Sequence, residues 1–283
     1  MPVTSNNLAG SKSGDYVLGY SSSENDRLIR QAALLAPLTE RMFREAGIGS
    51  GQHVLDLGSG MGDVALLAAR LVGPSGEVVG IERDAGSIER ARARVAEAGL
   101  SNIRFTQTDV NQIRSDQPFD AAVGRFILMF LPDPVSVLAG VSRLVRAGGV
   151  VAFQETSWKP SLAFAAQLPL WSRLLRAIHQ TLLASGANPE MGPDLYALFQ
   201  KVGLPVPAMH METLLGSDAE LIQLKCGIIR SLRPLAETCA VDLKGLGDLD
   251  TLADRIQAEA AAHKAVLNFV PIVSAWARKP EMG

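Results

Sequence analysis

The chain of 283 residues has only two cysteines and 5% aromatic residues, and neither charge is in excess, with 27 basic residues against 29 acidic ones. A protein that neutralises phosphates carries a basic surplus or a basic stripe, so the net charge of −2 argues against a nucleic-acid partner. Cys226 and Cys239 fall in a helical pattern and read as reduced core thiols, with none of the cysteine framework of a small secreted domain. No apolar run approaches the roughly 18 residues of a membrane span. The polar start, MPVTSNNLAGSKSG, lacks the apolar core of a secretory signal and the arginine bias of a transit sequence. The expectation is a soluble, cytoplasmic protein without a membrane partner. With 47% hydrophobic and 20% charged residues, the chain has enough apolar side chains for a sizeable core.

What is present alternates between two periods. Residues 1–22 read as a flexible tail or lid. Residues 23–283 read as a single domain. Ser23 and Asp26 resemble a capping box, and Leu28, Leu35, Leu38 and Met42 then keep one helical face, which Pro37 is expected to kink or divide. HVLDL (53–57), GEVVGIE (76–82), NIRFTQ (102–107), FDAAV (119–123) and GGVVAFQE (148–155) read as strands. Helical segments separate them, one of them capped by Asp133 with Pro134 at its first position. Strands alternating with helices of this length predict an α/β fold with a mostly parallel sheet covered on both faces. Residues 206–214 and 266–279 add two strands, bringing the expected sheet to seven. Residues 157–190 and 217–263 (the latter interrupted near 233–249) are helical additions expected to cap one end of the sheet.

Residues 53–63, HVLDLGSGMGD, end a strand in an aspartate and then place glycine at every second position. In open parallel sheets, ligands sit beyond the carboxyl ends of strands where the strand order reverses. A dinucleotide turn reads G-x-G-x-x-G/A. Here Asp63 stands at the last position, and Gly62 comes one place early. A G-x-G-x-G turn preceded by Asp56 suits a ligand bearing an ammonium and a carboxylate, the methionine end of S-adenosylmethionine.

With these residues the chain resembles the class I S-adenosylmethionine-dependent methyltransferases of small-molecule type. VLDLGSGMG matches the first motif of that family, GEVVGIERD the second, TDV (108–110) the adenine loop, FDAAVGRFILMFLPDP the fourth motif, and RLVRAGGVVAFQE the next strand with its glycine turn. The resemblance is strong over about residues 45–156. It implies a Rossmann-like fold and S-adenosyl-L-methionine as cofactor. Asp56, Gly58, Ser59, Gly60 and Gly62 would hold the methionine end, and Glu82, beside Arg83, the ribose hydroxyls. Asp109 and Val110 would meet adenine, with Arg125 facing the reactive end. Tyr20 or Tyr16, ahead of the first helix, would fold over the cofactor. Each acid also has a plainer reading: Asp56 and Asp109 as helix caps (Asp109 for a helix around 111–114), and Glu82 as a solvated strand-end charge.

The [DN]PPY signature of amino-purine methyltransferases is missing, GRFI (124–127) standing in its place, and so is the acidic cluster of metal-dependent catechol methyltransferases, so no metal is expected. A small, largely apolar acceptor follows, with oxygen favoured over carbon or nitrogen, enclosed by the helical additions that act as a substrate cap. Glu155 and His179 are the candidate catalytic groups, each against a structural reading. His53 and His210 read as structural. Two alternatives keep the same motifs: a coupled rearrangement or cyclisation, and a non-catalytic S-adenosylmethionine-binding protein. A homo-oligomer, through dimerisation or arm exchange at the N-terminal helix, is compatible with the pattern.

Overall fold

The computed structural model describes residues 22–217 and 219–281, so the expectations for the tail, for Tyr16 and Tyr20, and for the Ser23 side chain of the capping box lie outside the described residues. In chain order come α1 (Ser22–Glu45), β1 (His53–Leu57), α2 (Asp63–Val72), β2 (Glu77–Glu82), α3 (Ala85–Glu97), β3 (Ile103–Gln107), β4 (Phe119–Arg125), α4 (Pro134–Leu144) and β5 (Val145–Thr156). Then follow α5 (Trp158–Phe164), α6 (Pro169–Ala184), α7 (Met191–Lys201), β6 (Ala208–Glu212), β7 (Leu215–Gly216), α8 (Ala219–Thr238), α9 (Leu252–Ala262), β8 (Leu267–Asn268) and β9 (Ile272–Arg278).

Seven strands form one sheet in the order β3-β2-β1-β4-β5-β9-β6, and β7 pairs with β8 separately. The pairs β1–β2, β2–β3, β1–β4 and β4–β5 are parallel, while β9 runs antiparallel to both β5 and β6. The α/β fold with a mostly parallel seven-stranded sheet is therefore as expected. The strand order reverses between β1 and β4, which places the crevice for a ligand above those two strand ends.

Side chains alternate across the pleat and so divide the core in two. Val54, Val78, Ala121, Val123, Val150 and Ala152 pack with α2, α3 and the end of α1. Leu55, Leu57, Val79, Ala122, Val151 and Phe153 pack on the other face with α4, α7 and the later helices. The register of β4 against β5 shifts between Phe119 and Ala121. That irregularity breaks the alternation, and Phe119 joins the second cluster instead of the one that holds Ala121. Each fully buried Val, Leu or Phe contributes roughly 1.5–3 kcal/mol, so the two-faced sheet carries much of the stability.

Two expectations need correcting. α1 is not divided at Pro37; Pro37 and Ala33 both lie on its exposed side, where water can satisfy the carbonyl that proline leaves unpaired. α8 likewise runs through exposed Pro234 to Thr238, so the interruption begins after residue 238 rather than near 233. Cys226 and Cys239 are both free thiols. Asp133 caps α4 as expected, its Oδ1 accepting the Ser136 N–H at 3.0 Å, with Pro134 at the first helical position.

Candidate functional site

The turn after β1 is built from left-handed glycines. Gly58, Gly60 and Gly62 have φ of 62°, 51° and 81°, a region that strains other residues. Their surroundings differ. A Cβ on Gly58 would lie 2.7 Å from Ile127, and one on Gly62 would lie 3.0 Å from Phe105. A Cβ on Gly60 would meet nothing within 4 Å, so the middle glycine faces open space. Arg94 braces the turn, donating to the Met61 carbonyl at 2.7 Å and pairing with Asp63 at 2.6 Å. Buried Ser59 donates its backbone N–H to the Ile81 carbonyl at 2.9 Å, which ties the turn to β2.

Under this turn Asp56 is 1% exposed, and neither of its carboxylate oxygens has a hydrogen-bond partner. A buried unpaired carboxylate is expensive. Burial pushes its pKa well above the usual range; Arg125 and the backbone N–H of Ala65 oppose the shift, and nearby Asp63 and Glu82 add to it. Neither oxygen makes a hydrogen bond of normal geometry to α2, but the Ala65 N–H in its first turn still favours the ionised form, so the cap is a loose one and leaves the carboxylate able to take a cation. Glu82 is half-buried and far from a solvated strand-end charge. Its Oε2 accepts the Gly60 N–H at 2.9 Å, and its Oε1 accepts those of Arg83 and Asp84 at 2.8 and 2.9 Å. Oε2 keeps a lone pair for a further donor. Arg83 itself is exposed.

After β3, Asp109 Oδ1 accepts the Asn111 N–H at 2.8 Å and its side-chain amide at 2.7 Å. Residues 111–114 form no helix, so the cap reading fails here. Val110 is half-buried beside the core. The ends of β1, β2 and β3 thus present the carboxylates of Asp56, Glu82 and Asp109 in turn.

Beyond β4 the chain turns sharply. Phe126 has φ of 56°, a strained value for a residue with a side chain, and its N–H donates to the Gln154 carbonyl at 2.9 Å. Glu155, fully buried, holds this turn: its Oε1 accepts the N–H groups of Ile127 at 3.1 Å and Leu128 at 2.7 Å, while Oε2 has no partner. Burial raises the Glu155 pKa to about 8 in spite of those backbone donors. Arg125 donates to the Thr39 hydroxyl at 2.9 Å, Thr39 donates to Gln154 Oε1 at 2.7 Å, and Gln154 donates to Ser274 at 2.8 Å. That chain of contacts locks α1 onto β4, β5 and β9. Burial lowers the Arg125 pKa, and Asp63 and Asp56 oppose the shift.

A cavity opens beside the turn. Phe126, Met129 and Phe130 line it from the turn, Trp158 from the start of α5, and Lys225 from α8. His179 is not among the lining residues. It stands 3.9 Å from Glu190 and behind Trp158, with ring centroids 6.3 Å apart, and burial lowers its pKa. Glu190 itself accepts from Ser157 Oγ and from the N–H groups of Trp158 and Lys159 at 2.8–3.0 Å, capping α5 from a distant part of the chain. His53, ringed against Phe119, and His210, edge-on to Trp276, occupy structural positions. Sequence reading missed Lys225: a lysine among apolar residues at helical spacing gives no sign of whether it points outward. A larger depression of about 720 Å³ between Arg233 and Leu249 shares no residue with this site.

Among the described residues, no helix is long and apolar enough to cross a membrane. Comparison with known proteins agrees with the fold. An aklanonic acid methyltransferase of Streptomyces sp. strain C5 is 36% identical over 134 residues, 47% of this chain and 60% of that protein. A demethylmenaquinone methyltransferase of Staphylococcus aureus is 27% identical over 146 residues, 51% of this chain and again 60% of the relative. The chain therefore matches well under two thirds of the length of these relatives. The solved structure of a putative methyltransferase from Bacillus halodurans superposes with a TM-score of 0.57 at 18% identity, covering 86% of this chain and 98% of that one. A family model described as a methyltransferase domain matches residues 48–202, more than half of the chain, and the protein belongs to that methyltransferase-domain family.

Proposed function

We propose that the protein is an S-adenosylmethionine-dependent methyltransferase acting on a small, largely apolar organic acceptor, with oxygen as the receiving atom. The observation that carries this reading is the buried, unpartnered Asp56 carboxylate beneath a glycine that faces open space. Asp56 takes the methionine ammonium, which offsets the cost of its burial. Glu82 accepts from the ribose through Oε2 while keeping the glycine turn in place, and Asp109 and Val110 meet the adenine edge. When bound, S-adenosylmethionine supplies a methyl group already activated by its sulfonium, so the task of the protein is alignment and exclusion of water. The Arg125–Thr39–Gln154 chain and the Glu155-held turn fix the end of β4, where an acceptor and a cofactor would meet. Glu155 is thus a positioning residue in this reading, and His179 supports Trp158 instead of touching the acceptor. The names of the two relatives, both of them methyltransferases of small organic molecules, support an acceptor of that class.

The test is transfer of label from S-adenosylmethionine carrying a labelled methyl group, offered with a panel of phenols, carboxylic acids, amines and quinols. Label in an organic-extractable product is expected, with phenols and acids ahead of amines. Label that enters protein or nucleic acid, or no transfer to any class, overturns the proposal.

A further inference from the structure

The cavity beside the β4 turn contains a charge that methyl transfer does not require. Lys225 is fully buried on α8, and its Nζ has no hydrogen-bond partner. The nitrogen lies 4.6 Å from the centroid of the Trp158 ring and 4.2 Å from that of Phe269, so two aromatic faces take the place of water. Behind it is a second buried cation, Arg27 of α1, but that one is matched: it pairs with buried Glu24 at 2.5 Å and donates to Gln31 at 2.8 Å. Glu24 also accepts from Ser231 of α8 at 2.7 Å. Arg27 is thus paired with a carboxylate, and the Lys225 nitrogen has no hydrogen-bond partner. Apart from Arg27, the side chains that share the cavity with it are uncharged, Gln31 and Thr156 being the polar ones. Burial and the nearby Arg27 pull the Lys225 pKa down to about 7.

A bare ammonium between aromatic rings, in an otherwise apolar cavity next to the strained Phe126, is costly for folding and is relieved by an anion. We infer that Lys225 anchors an anionic oxygen of the acceptor, an organic acid whose carboxylate end enters this cavity of about 70 Å³. The inference rests on the methyltransferase reading in treating this cavity as the acceptor site. One ionised oxygen satisfies the lysine, whose nitrogen already covers the faces of Trp158 and Phe269. Neutral or cationic acceptors of the same shape leave the charge unmatched and bind more weakly. Lys225 therefore sets specificity by charge, at a place distinct from the cofactor crevice.

Benzoate and its uncharged twin benzamide, titrated separately into the full chain by NMR, test this without any turnover. Benzoate is expected to bind at least about tenfold more tightly than benzamide, the effect of one charge-assisted contact. Its binding at pH 8 is expected to take up protons, because the anion raises the lysine pKa. In Lys225→Met both the preference and the proton uptake are expected to vanish, with benzamide affinity unchanged. Lys225→Arg is expected to keep the preference and lose the uptake. A wild-type protein that binds the two probes equally, or binds neither, overturns the inference whether or not the variants fold. Titration with S-adenosylhomocysteine separates the two failures: a normal cofactor response without benzoate preference removes this inference alone, and a missing cofactor response removes the methyltransferase reading.

Discussion

Gly60 sits at φ 51° with open space where a Cβ would project, so Gly60→Val sets a β-branched residue in a left-handed conformation and fills the ligand side of the turn. Cofactor binding by calorimetry is expected to disappear; retained binding would show that the turn is not the binding element. Glu82→Ala removes the acceptor of the Gly60 N–H and the proposed ribose contact, and a loss of one to two kcal/mol in affinity is expected, roughly the value of charged hydrogen bonds. Asp56 has a raised pKa because burial outweighs the opposing pull of Arg125 and the Ala65 N–H. A cation arriving there favours the ionised form, so binding should release protons, up to about one per site, measurable by calorimetry in buffers of different ionisation enthalpy. Asp56→Asn should abolish that release; an unchanged release would place the proton elsewhere. Glu155 gives a second pH signature. Its folded pKa, about 8, lies above the ordinary 4.5, so its contribution to stability is present below pH 4.5 and is lost as pH rises through 8. Denaturation curves of Glu155→Gln should therefore fall less steeply than wild type across that window, by at most about 1.4 kcal/mol per pH unit. Equal slopes would contradict the assignment.

At the scale of elements, the short helix α5 depends on a cap that no local sequence pattern announces. Glu190, 32 residues beyond Trp158, accepts the first N–H groups of α5 and so holds Trp158 in the cavity wall. Glu190→Ala is expected to cost about 1–2 kcal/mol in chemical denaturation and to slow methyl transfer, while S-adenosylhomocysteine affinity stays unchanged. A variant with unaltered transfer would show that α5 does not shape the acceptor site. The contrast with α4 explains what could be read beforehand. Asp133 and Pro134 are neighbours in sequence, and their cap was visible there, as was the alternation that builds β1, β2, β4 and β5. The continuity of α1 through Pro37 and of α8 through Pro234 was not visible, because exposure decides whether a missing hydrogen bond breaks a helix, and exposure belongs to the folded chain. The same holds for Lys225. Its burial arises from α8 meeting α1, α5 and the segment before β9, four parts of the chain brought together by the fold alone.

For the molecule as a whole, the acids on the ends of β1 and β2 and the cation on α8 divide the labour. Asp56, Asp63 and Glu82 put carboxylates on the side of the crevice proposed for a cationic cofactor, and Lys225 puts an amine in the cavity proposed for the acceptor. The glycine spacing, Asp56, Glu82 and Asp109 could all be read from the chain because they follow strand ends in a fixed order. The acceptor side could not, since its walls come from late helices without a motif. A ligand that binds the folded protein alone raises its melting temperature, so a cofactor fitted to this crevice should stabilise the whole domain. Calorimetric titration of the full chain with S-adenosylhomocysteine, beside NAD as the competing ligand class, tests the assignment most directly. Saturable binding of S-adenosylhomocysteine at one site per chain, weakened in Asp56→Asn and lost in Gly60→Val, with no heat from NAD, is the expected result. Binding of NAD in its place, or S-adenosylhomocysteine affinity indifferent to both substitutions, would contradict it.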